Sequence, residues 1–174
     1  MKQVKKLEEH FNKKTAKVNG KPPIKSLLVV FSYHTMSTMK VAQTIANVLG
    51  AQIKTPQEIH PEDLLNYDLV GFGSGIYDAK HHKFLFDLAE KLPKIPEKKA
   101  FLFSTAGMTG TRKVAGDHSK LRSKLQAKGY DIVGDFGCKG FNKNSFLKYF
   151  GGMNKGRPNA IDLERAEEFA QSLA

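Results

Sequence analysis

The chain reads as an α/β protein built on a doubly wound, five-stranded parallel sheet of order 2-1-3-4-5, with helices on both faces. Three observations predict it. Strand-length apolar runs alternate with segments whose apolar residues recur at helical spacing, which is the pattern of consecutive βαβ units. The clearest unit passes from the unbroken apolar run Leu27–Phe31, through a hydroxyl-rich turn, into a helix over Met39–Leu49. Three strands end in turns rich in Ser, Thr and Gly, and in such sheets ligands bind at the C-terminal strand ends beside the point where strand order reverses.

Each element follows from local pattern. Leu27–Phe31 has no polar interruption, as suits a parallel strand covered on both faces. Val41, Ile45, Val48 and Leu49 fall at i, i+4, i+7 and i+8, giving the first helix one buried stripe. Ala51–Thr55 reads as a weak second strand at an edge. Asp68–Gly73 is the third strand and runs into Ser74-Gly75-Ile76-Tyr77. Lys83–Leu92 is a helix with Phe84, Leu85, Leu88 and Leu92 on one side. Ala100–Phe103 is the fourth strand, ending in Ser104-Thr105-Ala106-Gly107. Val114–Lys128 is a helix that turns Val114, His118, Leu121 and Leu125 inward and stops at Gly129. Asp131–Phe136 is the fifth strand. Asn159 caps a last helix whose stripe is Leu163, Ala166, Phe169, Ala170 and Leu173. Right-handed crossovers leave few ways to arrange five such strands, and 2-1-3-4-5 fits.

An extra N-terminal helix precedes this array. Val4, Leu7 and Phe11 recur among Lys and Glu; Asn19-Gly20 ends the helix and Pro22-Pro23 is a stiff link. Residues 1–25 are thus a basic helical extension, and residues 26–174 a single domain. At 174 residues, 40% hydrophobic, the chain can bury a sizeable core. No apolar run approaches the roughly 20 residues that span a bilayer, and no signal-peptide pattern opens the chain. Cys138 is the single cysteine, so no disulfide forms within the chain, and a reducing cytoplasm is the expected setting. Cys138 itself reads as a small buried residue at a strand end.

The net charge of +11 is unevenly placed. Residues 1–25 hold eight Lys against two Glu, and residues 111–155 hold ten Lys or Arg against three Asp. Twenty-four of the 28 basic residues are Lys, the solvated point charge, rather than Arg, which reads phosphates and bases in a bidentate fork. A Lys-rich soluble surface is the plain reading. An acidic protein partner is compatible with it, and a specific nucleic-acid reader is not expected.

The turn after the first strand gathers Ser32, His34, Thr35, Ser37 and Thr38 within seven positions. Such a turn aims backbone N–H groups and hydroxyls at one point, where the helix N-terminus adds positive potential suited to phosphate. Ser37 is equally readable as an ordinary N-cap. The turns after the third and fourth strands, Ser74–Tyr77 and Ser104–Gly107, converge on the same crevice, and Tyr77 stands where it can stack on a flat ring. A phosphorylated, ring-bearing ligand follows. His81-His82 opens a helix, and adjacent helical residues point about 100° apart, so a shared metal is not expected. Residues 137–158 form a long basic segment carrying Phe141, Phe146, Tyr149 and Phe150. It reads either as a flap for docking or substrate access, or as a short helix packed on the sheet edge.

On these residues the chain resembles the flavodoxin family over roughly residues 26–174. Thr35-Met36-Ser37-Thr38 matches the family's Thr-Gly-Asn-Thr phosphate turn at its two Thr positions, and Ser32-Tyr33-His34 looks like a variant found in small flavodoxin-domain proteins of anaerobes. The ending Gly156-Arg157-Pro158-Asn159, followed by an acidic helix, is similar as well. The resemblance implies FMN as cofactor. Ser32, His34, Thr35, Met36, Ser37 and Thr38 would surround its phosphate, and Ser74, Gly75, Ile76, Tyr77, Ser104, Thr105, Ala106 and Gly107 would line its isoalloxazine ring. It implies electron transfer between redox partners, whether an acidic protein or a small quinone-type acceptor. Met36 departs from the family's Gly, and if φ is positive there it is strained. The basic charge departs from acidic electron shuttles, and with no Trp, Tyr77 is the best ring cover. Two other functions remain open. The stretch Ser74–Lys83 is similar to the matching loop of menaquinone-dependent protoporphyrinogen dehydrogenases, which implies an FMN-dependent oxidoreductase acting on a quinone or porphyrin. A basic binding module that has lost FMN is the third.

Overall fold

A computed structural model describes residues 24–143, 149 and 151–174. Its five strands are β1 (Ser26–Phe31), β2 (Gln52–Lys54), β3 (Leu69–Gly75), β4 (Lys98–Ala106) and β5 (Tyr130–Lys139). They form one sheet in the order β2-β1-β3-β4-β5, and every pairing is parallel. Four helices, α1 (Ser37–Leu49), α2 (Lys83–Lys91), α3 (Thr111–Ala127) and α4 (Ala160–Leu173), cover the two faces. The flavodoxin-like doubly wound fold expected from the sequence is therefore present. The expected N-terminal helix falls outside the described residues.

Two cores sandwich the sheet. Alternation along β1 sends Leu27 and Val29 to one face, with Leu85, Leu88, Leu121 and Leu125 of α2 and α3. Leu28 and Val30 go to the other face, with Val41 and Ile45 of α1 and Ala166 and Ala170 of α4. Strands buried on both faces must be apolar at successive positions, which is why β1 reads as an unbroken run. In β3, Gly71 and Gly73 have a packing reason. A Cβ on Gly73 would lie 2.2 Å from the Phe103 ring of β4, and one on Gly71 would lie 2.4 Å from Phe101. The two phenylalanines fill the space the glycines leave.

Several boundaries differ from the sequence reading. The fourth strand extends over Lys98–Ala106 and the fifth over Tyr130–Lys139, because backbone pairing continues past the apolar residues that mark a strand in sequence. The first helix begins at Ser37, and Met36 is its N-cap. His81 is not helical: α2 starts at Lys83, with His82 as its N-cap accepting from the Phe84 N–H at 3.3 Å. Part of the 137–158 segment is strand, and beyond it Asn142 pairs with Met153 in an antiparallel bridge. Phe146 and Phe150 lie outside the described residues, and Tyr149 is exposed. A capping box of Asn159 with Asp162 starts α4, as Asn159 predicts, and Arg157 pairs with Asp162 at 2.8 Å.

Candidate functional site

The strand order reverses at β1, and a cleft opens there between three loops. Its walls are Tyr33–Thr35, Ser37 and Thr38 after β1, Gly75–Tyr77 at the end of β3, Thr105–Gly107 at the end of β4, and Gly140–Lys143 after β5. The enclosed part is small, about 40 Å³. A planar ligand would lie between the loop tips rather than sink into the sheet.

The β1–α1 turn is tied down by its own hydroxyls. Thr35 Oγ1 donates to the Phe141 carbonyl at 2.8 Å, and Ser37 Oγ accepts from the Phe141 N–H at 3.2 Å. Thr35 and Ser37 hydroxyls also meet at 2.9 Å. Ser32 Oγ accepts from the Met39 N–H at 3.2 Å, and so caps α1 from outside the cleft. Thr38 Oγ1 and Thr105 Oγ1 lie 2.7 Å apart, joining the α1 N-terminus to the end of β4. The first-turn N–H groups of a helix have no intrahelical partner, so those of Ser37 and Thr38 remain available to an anion. Positive potential at a helix N-terminus adds to this. The donor set suits a phosphate, with the hydroxyls fixing the loops around it.

Backbone strain collects around this cleft. His34 and Met36 have φ of 60° and 54°, and Asp78 and Ala79 have φ of 49° and 56°. The positive φ at Met36 is the conformation the sequence comparison with a Gly-bearing turn implies. Asp78 and Ala79 are the central residues of a tight hairpin in which Tyr77 and Lys80 exchange backbone hydrogen bonds at 2.9 and 3.1 Å. Positive φ at both positions is the requirement of a type I′ turn. This hairpin stands Tyr77 up at the cleft wall.

Ten of the residues singled out in sequence line the cleft: His34, Thr35, Ser37, Thr38, Gly75, Ile76, Tyr77, Thr105, Ala106 and Gly107. Ser32 and Met36 do not, and Met36 is exposed. Ser74 and Ser104 lie opposite each other in β3 and β4 and are buried, so they sit beneath the cleft floor instead of lining it. Ser74 Oγ is 2.9 Å from His81 Nδ1 and accepts from the His82 N–H at 3.0 Å. Ser104 Oγ is 2.8 Å from His118 Nε2, whose Nδ1 is 2.7 Å from Asp135 Oδ1. Arg122 bonds the other oxygen of Asp135. His118 is thus fully buried, in keeping with its place in the inward stripe of its helix. Sequence reasoning missed this chain, because Ser74, His81, Ser104, His118 and Asp135 come from five separate segments.

The loop after β5, which the sequence leaves as either a flap or a packed helix, supplies the fourth wall through Gly140–Lys143. Asn154 Nδ2 donates to the Gly107 carbonyl at 2.7 Å, and a Cβ on Gly107 would lie 2.2 Å from Met153 Cε. Gly107 is therefore the residue that lets this loop close against the end of β4. The Lys143 ammonium sits 5.0 Å from the centroid of the Phe141 ring, at the cleft. Lys113, in the basic 111–155 region, is paired with buried Asp117. Cys138 is buried, as expected, and burial pushes its thiol pKa up to about 12. Among the described residues no cluster of His, Cys, Asp and Glu could hold a metal, and no helix is long and apolar enough to cross a membrane.

A switch-point cleft floored by β1, β3 and β4, with a hydroxyl turn leading into α1, defines a doubly wound protein of the flavodoxin class. The chain belongs to the flavodoxin domain family, whose model matches residues 28–174. An uncharacterized protein of Methanocaldococcus jannaschii is 45% identical over 150 residues, spanning 86% of this chain and 98% of the relative. A flavodoxin from the domain Archaea superposes with a TM-score of 0.61 at 16% identity, covering 87% of this chain and 96% of that one. A Fusobacterium nucleatum flavodoxin bound to flavin mononucleotide superposes with a TM-score of 0.59 at 13% identity, covering 86% and 97%.

Proposed function

We propose that this protein binds FMN and carries electrons between redox partners in the cytoplasm. The observation that carries this reading is the convergence of the His34–Thr38 turn, the α1 N-terminus and the β3 and β4 loop tips on one cleft. FMN accepts one or two electrons when bound. The chain's own residues do the rest. N–H groups of Ser37 and Thr38 would hold the phosphate, with His34 beside them. Tyr77 would cover one face of the ring, which would lie between the loop tips at Gly75–Tyr77 and Thr105–Gly107. The Thr38–Thr105 hydrogen bond fixes the α1 N-terminus against the end of β4, and so would set the phosphate end of the site relative to the ring end. Lys143 adds positive charge at the rim. With the surplus of Lys, this favours an acidic partner, steered by charge and weakened by salt.

The test is a paired titration of flavin-free protein with FMN and riboflavin. FMN should bind more tightly by about 1–3 kcal/mol per charged hydrogen bond lost in riboflavin. Equal affinities would remove the phosphate from the turn. A second reading, an FMN-dependent oxidoreductase acting on a quinone or porphyrin, is favoured by the aromatic and basic loop Ser74–Lys83. It predicts sustained turnover of a small acceptor with no protein partner present.

A further inference from the structure

A second concavity lies next to the cleft, on the side of the β3–α2 loop away from β4. It holds about 390 Å³ and is lined by Phe31, Tyr33, Tyr77, Lys80, His82 and their neighbours. That volume lies within the range of small-molecule sites.

Its walls are aromatic and ordered against one another. Phe31, at the end of β1, stacks on His82 with centroids 4.0 Å apart and ring planes 23° apart. Phe31 also meets Phe84 edge-on at 4.9 Å, and Tyr77 meets His82 edge-on at 5.9 Å. Tyr33 is 64% exposed, a large ring left in water at the mouth. Exposed rings grouped in this way mark binding surfaces more often than rings scattered singly. His82 adds no obligatory charge: burial lowers its pKa, and its Nδ1 already accepts a backbone hydrogen bond. The face it presents is therefore a neutral aromatic one.

The charge on the groove has one sign. Lys80 and Lys83 line it, and no acidic residue does. Lys83 is paired with Asp87 at 2.5 Å. The Lys80 side chain is exposed and has no hydrogen-bond or ion-pair partner among the described residues. Lys80 is the last residue of the strained hairpin, so its position is set by the same turn that raises Tyr77.

We propose that this groove is a second small-molecule site, specific for a planar aromatic anion. The ring lies among Phe31, Tyr33 and His82, and its carboxylate, sulfonate or phosphate meets Lys80. Tyr77 is a wall common to groove and cleft. On the FMN reading, an occupant would lie across that one side chain from the flavin. Binding itself does not depend on that reading.

The probe is 2-naphthoate, with neutral 2-naphthamide and non-aromatic cyclohexanecarboxylate as controls. Each is titrated into the full chain by ligand-observed NMR, with and without saturating FMN. Saturable 2-naphthoate binding is expected in both states, at least about tenfold tighter than either control, which corresponds to about 1.4 kcal/mol. Lys80→Gln should erase the preference for naphthoate over naphthamide, and Tyr33→Leu should weaken both aromatic probes. Absence of saturable binding overturns the proposal. So does a naphthoate affinity unmoved by Lys80→Gln, or displacement of naphthoate by FMN. FMN titration of the same samples reads the cofactor assignment separately, because a chain that takes no FMN can still bind naphthoate.

Discussion

The rings of His81 and His118 lie 4.7 Å apart, centroid to centroid, beneath the cleft floor. Each is bonded to a serine at the end of a different central strand, His81 to Ser74 of β3 and His118 to Ser104 of β4. The pair therefore ties the loop that presents Tyr77 to the helix that follows the opposite wall. Asp135, an acceptor only when ionised, fixes Nδ1 of His118 as a donor. At the other end, His81 Nε2 is buried without a partner among the described residues. Unpaired buried polar atoms are costly, and one next to a ligand cleft points to a site held by constraint from both sides.

His81 makes stability depend on pH. Burial, with the neighbouring His118 second, holds the His81 pKa well below 6.5. The unfolded chain takes up a proton near 6.5 that the folded chain refuses. Stability is then full above that value and falls as pH drops below it. Asp135 works in a lower window. Burial raises its pKa, but the His118 hydrogen bond and the Arg122 charge outweigh burial and hold it below 3.8. Its contribution is present above that ordinary value and lost only as pH falls through the lowered one. The expected result is a drop in the urea midpoint of the wild type between pH 7.5 and 5.5, and a flatter profile in His81→Asn, whose amide can still meet Ser74. Equal slopes in the two proteins would contradict this account.

The cleft was more legible in sequence than the layer beneath it. The His34–Thr38 turn and the Gly75–Tyr77 and Thr105–Gly107 loops could be found because each is a local run after an apolar strand. Strand order followed from handedness and from the count of βα units. Ser74 and Ser104 were misplaced because residue type alone does not say which side of a strand end a hydroxyl takes. Their side was settled by His81 and His118, which come from other segments.

The strained residues can be relieved singly. Left-handed backbone costs a non-Gly residue about 1–2 kcal/mol, while Gly costs about 0.5–1 kcal/mol in chain entropy. Met36 and Ala79 are exposed, so little packing is lost on replacing them. Met36→Gly and Ala79→Gly should each raise stability by about 0.5 kcal/mol, the difference between those two costs. Chemical denaturation at fixed pH measures it. A loss of stability in both would show that side-chain contacts outweigh the backbone strain.

Gly73 should tolerate no side chain. A methyl group there meets three atoms of the Phe103 ring, at 2.2 to 2.6 Å, and the ring is buried with no room to retreat. Gly73→Ala should destabilise the fold by about 1–3 kcal/mol, the usual cost of overpacking. Gly73→Ala combined with Phe103→Leu should recover part of the loss. No recovery would point to the strand backbone rather than the ring contact.

Tyr77→Ala should weaken FMN and change the visible absorption of the bound flavin, because the ring would lose its aromatic cover on the cleft wall. Asp78 and Ala79 hold the hairpin without Tyr77, so the loop should keep its path. An absorption spectrum and affinity both equal to the wild type would place Tyr77 in packing against His82 alone.

Lys143 is the cation best placed to tune the flavin. It lines the cleft and lies over the Phe141 ring, whereas Lys113 is paired. Reduction adds negative charge to a flavin that already carries a phosphate, and a nearby cation favours the more negative state. Lys143→Gln should therefore lower the midpoint potential and weaken FMN, with Lys143→Arg restoring both. The shift should be larger at low ionic strength, since charges exposed to solvent are screened over about 8–10 Å at physiological salt. Potentiometric titration of the three proteins across a salt series measures it. A potential unchanged in Lys143→Gln at every salt concentration would mean that the ammonium stays on the Phe141 ring and does not face the flavin.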